Sequence, residues 1–140
     1  MERPKVGVGV FVLKNNKILV GKRINSHGNE TWSLPGGHLE LFETFEECAK
    51  REVLEESGLH IKSVEFLTAT NDIFNKEKKH YITIFMLSKY AKGTLDVKEK
   101  DKCEKWIWCE WENIPEPLFL PLENLKKKNI NLKKILKEKN

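Results

Sequence analysis

The tightest constraint on how this chain can fold lies between residues 35 and 58. Pro35-Gly36-Gly37 interrupts an apolar stretch, residues 44–57 are rich in Glu, Ala, Lys, Arg and Leu without a Gly or Pro, and Gly58 follows. Gly at that point suits the left-handed residue that ends a helix, so one helix is predicted over 44–57. The flanks read as strands. Residues 6–13 are apolar and β-branched, Asn15-Asn16 supplies turn chemistry and residues 18–22 resume the extended pattern, which predicts a hairpin. A polar loop at 25–30 leads to a short strand at 31–34, broken by Pro35-Gly36-Gly37. Further strands are predicted at 61–71, 80–88 and 105–109, the middle one apolar enough to be buried on both faces, and further helices at 118–127 and 131–137. Strands interspersed with isolated helices predict an α+β fold, a mixed sheet sandwiched between helices in an α/β/α arrangement.

At 140 residues the chain suits a single domain, 1–140. With 39% hydrophobic and 33% charged residues it is too apolar to be disordered. No apolar run approaches the roughly 20 residues that span a bilayer, and the N-terminal residues lack a signal-peptide core, so a cytoplasmic protein without membrane contact is expected. Cys48, Cys103 and Cys109 show no metal or disulfide spacing and read as free thiols. The net charge of +4 is uneven, because residues 121–140 carry seven Lys against two Glu. Apolar residues interleave with that basic tail as in an amphipathic helix, so a solvated face is expected and nucleic-acid binding is not.

On a helix, at about 100° per residue, Glu52, Glu55 and Glu56 share one side. They repel one another and sit near the C-terminus, where the helix dipole disfavours anions. Mg²⁺ or Mn²⁺ would offset this, because hard oxygen ligands suit such ions and the ions bridge carboxylates to substrate phosphates. Glu43 is placed to pair with Arg51. Taken alone, an E-x-x-E-E helix is more often an ordinary charged face. The Gly-rich loop before it adds a backbone that can approach a ligand closely.

The segment from Gly37 to Leu59 fills every specified position of G-x5-E-x7-R-E-U-x-E-E-x-G-U, with U a bulky aliphatic residue. It resembles the signature of the Nudix hydrolases, MutT-type pyrophosphohydrolases of phosphoric anhydrides. The resemblance implies a Nudix fold, metal ligands in Glu52, Glu55, Glu56 and the Gly37 carbonyl, and a Glu43–Arg51 brace between loop and helix. In some members the glutamate matching Glu52 is also the base, and others recruit an acidic residue outside the signature. Glu104 is the candidate here, with Glu99 and Asp101 as alternatives. The catalytic set is therefore expected to be Glu43, Arg51, Glu52, Glu55 and Glu104.

Residues 7–10, 21–23, 34–40, 46–49 and 80–84 further resemble the human triphosphate-cleaving branch of the family, which acts on guanine and thioguanine nucleotides. That implies hydrolysis of a nucleoside triphosphate to monophosphate and pyrophosphate in a homodimer. It also implies substrate binding by Arg23 at the phosphates, by Gly36, Gly37 and His38 beside them, and by Thr83 and Leu122 at the base. Thr83 is equally an ordinary β-branched strand residue, and His38 is as suited to packing as to phosphate binding. The chain departs from that branch in carrying Glu123 in place of an Arg and in lacking a large ring at Leu120. Trp32, Phe74 and Tyr81 are candidate stacking surfaces for a base. The alternatives are a Nudix hydrolase of another nucleoside diphosphate derivative (a nucleotide sugar, a dinucleotide or an RNA cap) and a non-catalytic nucleotide sensor.

Overall fold

A computed structural model describes every residue except Met1, Ser26 and Asn140; Ser26, within the expected loop at 25–30, lies outside the described residues. In chain order the elements are β1 (Lys5–Lys14), β2 (Lys17–Arg23), β3 (Trp32–Ser33), β4 (Gly36–His38), α1 (Phe45–Ser57), β5 (His60–Phe74), β6 (Lys79–Lys92), β7 (Cys103–Cys109), α2 (Leu120–Lys126) and α3 (Leu132–Lys139). The strands form one mixed sheet in the order β3-β2-β1-β6-β5, with β7 on β2 and β4 on β1. β1 and β6 run parallel and the other pairs antiparallel. The α+β sandwich is as expected. So is the two-residue hairpin, in which Asn15 and Asn16 both take positive φ, as a turn matching the strand twist requires.

Two sequence expectations are corrected. Gly36-Gly37 does not merely break a strand: Gly36–His38 forms β4, pairing antiparallel with Gly7–Gly9. Strands β5 and β6 also run well past the predicted bounds, because their long antiparallel ladder tolerates bulges near Ser63 and Leu67 that sequence periodicity cannot follow.

The alternation V-G-V-G-V-F-V-L in β1 decides where the cleft lies. Side chains alternate across a strand, so Val8, Val10 and Val12 point to one face and pack with Ile84, Met86, Leu59 and the apolar side of α1, Cys48, Ala49 and Val53. Phe11 and Leu13 point to the other face and pack with Phe85, Leu87, Leu122 and Leu125 of α2 and Leu132 and Leu136 of α3. Each such buried side chain contributes about 1.5–3 kcal/mol, which holds one helical layer on each face. On the second face Gly7 and Gly9 precede Phe11 in the same row and carry no side chain. The sheet is bare there, and the helical cover gives way to an open cleft.

Candidate active site

The cleft encloses about 550 Å³ and is lined from both layers, by Gly7, Gly9, Arg23, Gly36, Gly37, His38, Thr83 and Leu122 and by Glu52, Glu55, Glu56 and Glu99. β2 and β4 both lie on the same edge of β1 but at opposite ends, β2 at Leu13–Lys14 and β4 at Gly7–Gly9. The helix that packs beneath the sheet reaches the cleft past β4.

Local sequence sets α1 in place. Thr44 is its N-cap in a capping box: Thr44 Oγ1 accepts from Glu47 N at 3.0 Å, and Thr44 N donates to Glu47 Oε1 at 2.9 Å. Gly58 closes the helix in the left-handed conformation, its N–H donating to Leu54 O. Gly36 lets β4 lie this close to β1, and Gly37 lets the helix lie this close to β4. A Cβ on Gly36 would lie 1.9 Å from Val8 O, and one on Gly37 would lie 1.7 Å from Glu52 Oε2. Glu56 Oε1 accepts from Gly36 N at 2.8 Å. The glutamate face and β4 are thus in register, Glu52 against Gly37 and Glu56 against Gly36.

Arg51 ties the loop to the helix. Its Nε donates to Glu43 Oε2 at 2.6 Å, its Nη2 donates to Glu43 Oε1 at 2.9 Å and to His38 O at 3.1 Å, and its Nη1 donates to Glu52 and, at 3.3 Å, to Glu55 Oε2. The bidentate guanidinium pulls the Glu43 carboxyl down to about 2, and the carboxylates raise Arg51 in turn. Burial pushes Glu52 up to about 7 and Glu56 up to about 8, with repulsion from Glu99 adding to both.

These residues fit a divalent cation. The donors are hard oxygens on one helix face, a Cβ on Gly37 would fill the space Glu52 occupies, and two carboxyls are raised by burial and mutual repulsion, a state that a bound cation relieves. Among the described residues no three acidic, His or Cys side chains are already gathered at ligating distance; the charge facing Glu52 and Glu55 comes from Arg51. Glu52, Glu55, Glu56 and the Gly37 carbonyl are the groups that would hold Mg²⁺ or Mn²⁺.

The opposite end of the cleft is aromatic. His27 stacks on Tyr81 with ring centroids 5.5 Å apart and meets Phe74 and Phe119 edge-on at 4.9 and 5.4 Å. His38 also stacks on Tyr81, its Nε2 3.0 Å from the Tyr81 hydroxyl. Burial lowers both histidines, His27 to about 4, with Arg23 and Lys79 adding to the effect there. Arg23 lies between the two ends. Its guanidinium is 3.9 Å from the Phe119 ring centroid, its Nε donates to His27 O at 3.1 Å, and Glu56 acts on it electrostatically. Lys5, Lys22, Lys79 and Lys102 line the same cleft.

Glu104, the expected outside carboxylate, stands beside the cleft rather than in its lining. It lies 3.8 Å from Lys22 Nζ with its side chain about half exposed. Its β7 neighbours Cys103 and Trp106 line the cleft, as does Glu99 in the preceding loop. Asp101 does not. Trp32 is likewise not a stacking surface, being buried in the core with Leu118. Cys48 is a free thiol buried in the core. His27 and Phe119 were not singled out in the sequence. Neither has a motif, and Phe119 stands one residue before the position where a ring was sought.

The Nudix domain family matches residues 3–134. Over 116 residues the chain is 33% identical to an ADP-ribose pyrophosphatase of Methanocaldococcus jannaschii, covering 83% of this chain and 68% of that protein. It is 31% identical to an RNA pyrophosphohydrolase of Pelagibacter ubique, covering 79% and 78%. A MutT Nudix hydrolase structure from Burkholderia pseudomallei superposes with a TM-score of 0.78 at 26% identity, covering 98% of each chain. Against some other relatives the chain spans only about two fifths of their length. These names do not carry the expected likeness to a guanine triphosphate diphosphatase. No helix among the described residues is long and apolar enough to cross a membrane. With the signature glutamates, the glycine strand they rest on and the match over nearly its whole length, the chain belongs to the Nudix family, hydrolases of phosphoric anhydrides.

Proposed function

We propose that this chain hydrolyses the diphosphate bond of a nucleoside diphosphate joined to a second group, as in ADP-ribose, with its phosphates at the glutamate end of the cleft and its base at the aromatic end. The observation that carries this reading is the single cleft itself, which runs from Glu52, Glu55 and Glu56, past Arg23, to Phe74, Tyr81 and Phe119. The relative named an ADP-ribose pyrophosphatase supports the substrate class.

Arg23 binds phosphate oxygens, since its only described side-chain hydrogen bond uses Nε and leaves both amino groups for a ligand. Glu52, Glu55, Glu56 and the Gly37 carbonyl would hold the divalent ion. A divalent ion held there would neutralise charge on the diphosphate oxygens. Glu99 accepts the proton of the attacking water while a water oxygen–phosphorus bond forms and the bridging phosphorus–oxygen bond breaks. Arg51 keeps Glu52 and Glu55 aligned and does not contact the substrate. Glu43 holds Arg51.

A second reading, cleavage of (deoxy)nucleoside triphosphates to monophosphate and pyrophosphate, including guanine or oxidised-guanine nucleotides, is favoured by Lys5, Lys22, Lys79 and Lys102 in the lining, more positive charge than a diphosphate needs. Incubation with Mg²⁺ and a panel of ADP-ribose, nucleotide sugars, dinucleotides, capped RNA, nucleoside triphosphates and 8-oxo-dGTP separates the readings by product. Monophosphate with a second phosphorylated group supports the first, and pyrophosphate release confined to triphosphates supports the second. No hydrolysis of any of them in the presence of tight nucleotide binding would leave a sensor.

A further inference from the structure

Behind the aromatic wall lies a carboxylate that the hydrolysis does not use. Asp72, on β5, is fully buried. Thr83 Oγ1 donates to its Oδ2 at 2.5 Å, Thr70 Oγ1 donates to the same oxygen at 3.1 Å, and Asn124 Nδ2 of α2 donates to Oδ1 at 2.9 Å. A buried carboxylate needs such donors, because without them its desolvation is costly. Each of these contacts runs from a neighbour's hydrogen to a carboxyl oxygen of Asp72. All three neighbours therefore commit hydrogens to it.

For Thr70 and Asn124 the consequence is structural, since neither lines the cleft, and Asn124 ties α2 to β5. For Thr83 it is chemical. Thr83 lines the cleft, and its hydroxyl has a single proton. Its methyl group lies towards Gly9, 3.7 Å from where a Cβ would stand, and its hydroxyl lies towards Asp72. With the proton spent on Asp72, Thr83 Oγ1 offers a ligand only lone pairs. Its place in the sheet says which part of a ligand that is. Thr83 follows Tyr81 on the same face of β6 and pairs with Gly7, whose other neighbour is His38 of β4. Two strand spacings, about 10 Å, separate it from the glycine strand that meets the glutamates, and the stacking rings lie next to it.

We infer that Asp72 fixes Thr83 as an acceptor-only contact at the base end of the cleft, so that the site selects bases presenting a hydrogen-bond donor there, such as an exocyclic amino group, over bases presenting a carbonyl or no group. Asp72 is a positioning residue acting through Thr83. The inference rests on the nucleotide reading given above, and does not depend on which phosphate bond is cleaved.

The test is equilibrium binding of AMP, GMP and IMP to the full chain by calorimetry. These differ by an amino group at one edge of the purine, an amino group at another, or neither. The wild type is expected to bind AMP or GMP about tenfold more tightly than IMP, the scale of a buried acceptor left facing a group that cannot donate. Thr83→Val keeps the shape and removes the acceptor, and should bring the three affinities within about twofold. Thr83→Ser should restore the preference, which separates hydrogen-bond polarity from any loss of packing stability followed by thermal melting. Equal affinities in the wild type, or a preference unchanged in Thr83→Val, overturn the inference and leave the nucleotide reading standing. Failure of all three to bind the wild type overturns that reading and the inference with it.

Discussion

The two ends of the cleft are built in opposite ways. At the glutamate end Arg51 and the three glutamates sit on one helix, with Glu43 in the loop before it and a short strand against it, held by a capping box, a bidentate arginine and two glycines that admit no side chain. Charge dominates there, and displacing one carboxyl disturbs the rest because Arg51 touches Glu43, Glu52 and Glu55 together. At the aromatic end His27, Phe119 and the β5–β6 hairpin residues Phe74 and Tyr81 come from three separate parts of the chain and meet through ring contacts. Such contacts are individually weak and largely independent. The difference teaches that the two ends are held by separate means, one by charged hydrogen bonds around a single helix and the other by ring contacts between distant segments.

The comparison breaks most visibly at the carboxylates. Replacing Glu52 with Gln should lower kcat about a hundredfold or more, with KM for the nucleotide changed only a few-fold, since the group acts on the reacting phosphates. A large rise in KM with kcat preserved would show that the glutamate end binds and does not catalyse. The next effect concerns the proton acceptor. Glu99→Gln is expected to lower kcat by about 10²-fold, while Glu104→Gln, outside the cleft and facing Lys22, should stay within about twofold of wild type. Reversal of those two results would return the role to Glu104. At the aromatic end Phe119→Ala should raise KM about tenfold with kcat nearly unchanged, the scale of losing one stacking surface. An equal fall in kcat would mean the two ends are coupled.

The smallest effect is one of pH and metal. Glu52 and Glu56 are raised to about 7 and 8 in the folded chain, so the folded state holds protons that the unfolded state has released. Their contribution to stability is present in full below the ordinary carboxylate range and is lost as pH rises through 7 and 8. Glu43, lowered to about 2, runs the other way and loses its contribution only in strong acid. The metal-free melting temperature should therefore fall between pH 5 and pH 8.5, and Mg²⁺ should raise it by a few degrees more at pH 8.5 than at pH 5. A Mg²⁺ effect independent of pH across that window would separate the cation from these two carboxyls.

What could be read in the sequence follows the same division. The helix, its Gly58 end, the Glu43–Arg51 brace and the three glutamates lie within 23 consecutive residues, where helical periodicity alone puts the glutamates on one face. The hairpin at Asn15-Asn16 and the doubly buried β6 were legible for the same reason, since turn chemistry and apolar runs are local properties. Phe119 and His27 carried no local signal, Glu104 could not be told from Glu99, and Trp32 looked as available as Tyr81. Which side of β7 faces the cleft is set by its register on β2, and whether a ring lies in core or cleft is set by what packs over it. Gly36-Gly37 reads as a break in sequence and becomes a strand only because β1 supplies a partner edge. The sequence by itself determined the helix-borne glutamates and their Glu43–Arg51 brace, because short-range geometry suffices to place them. Only the tertiary structure decided the surface that would read a base, because residues 27 and 119 reach residues 74, 81 and 83 of the β5–β6 hairpin through strand register and helix packing and through nothing nearer along the chain.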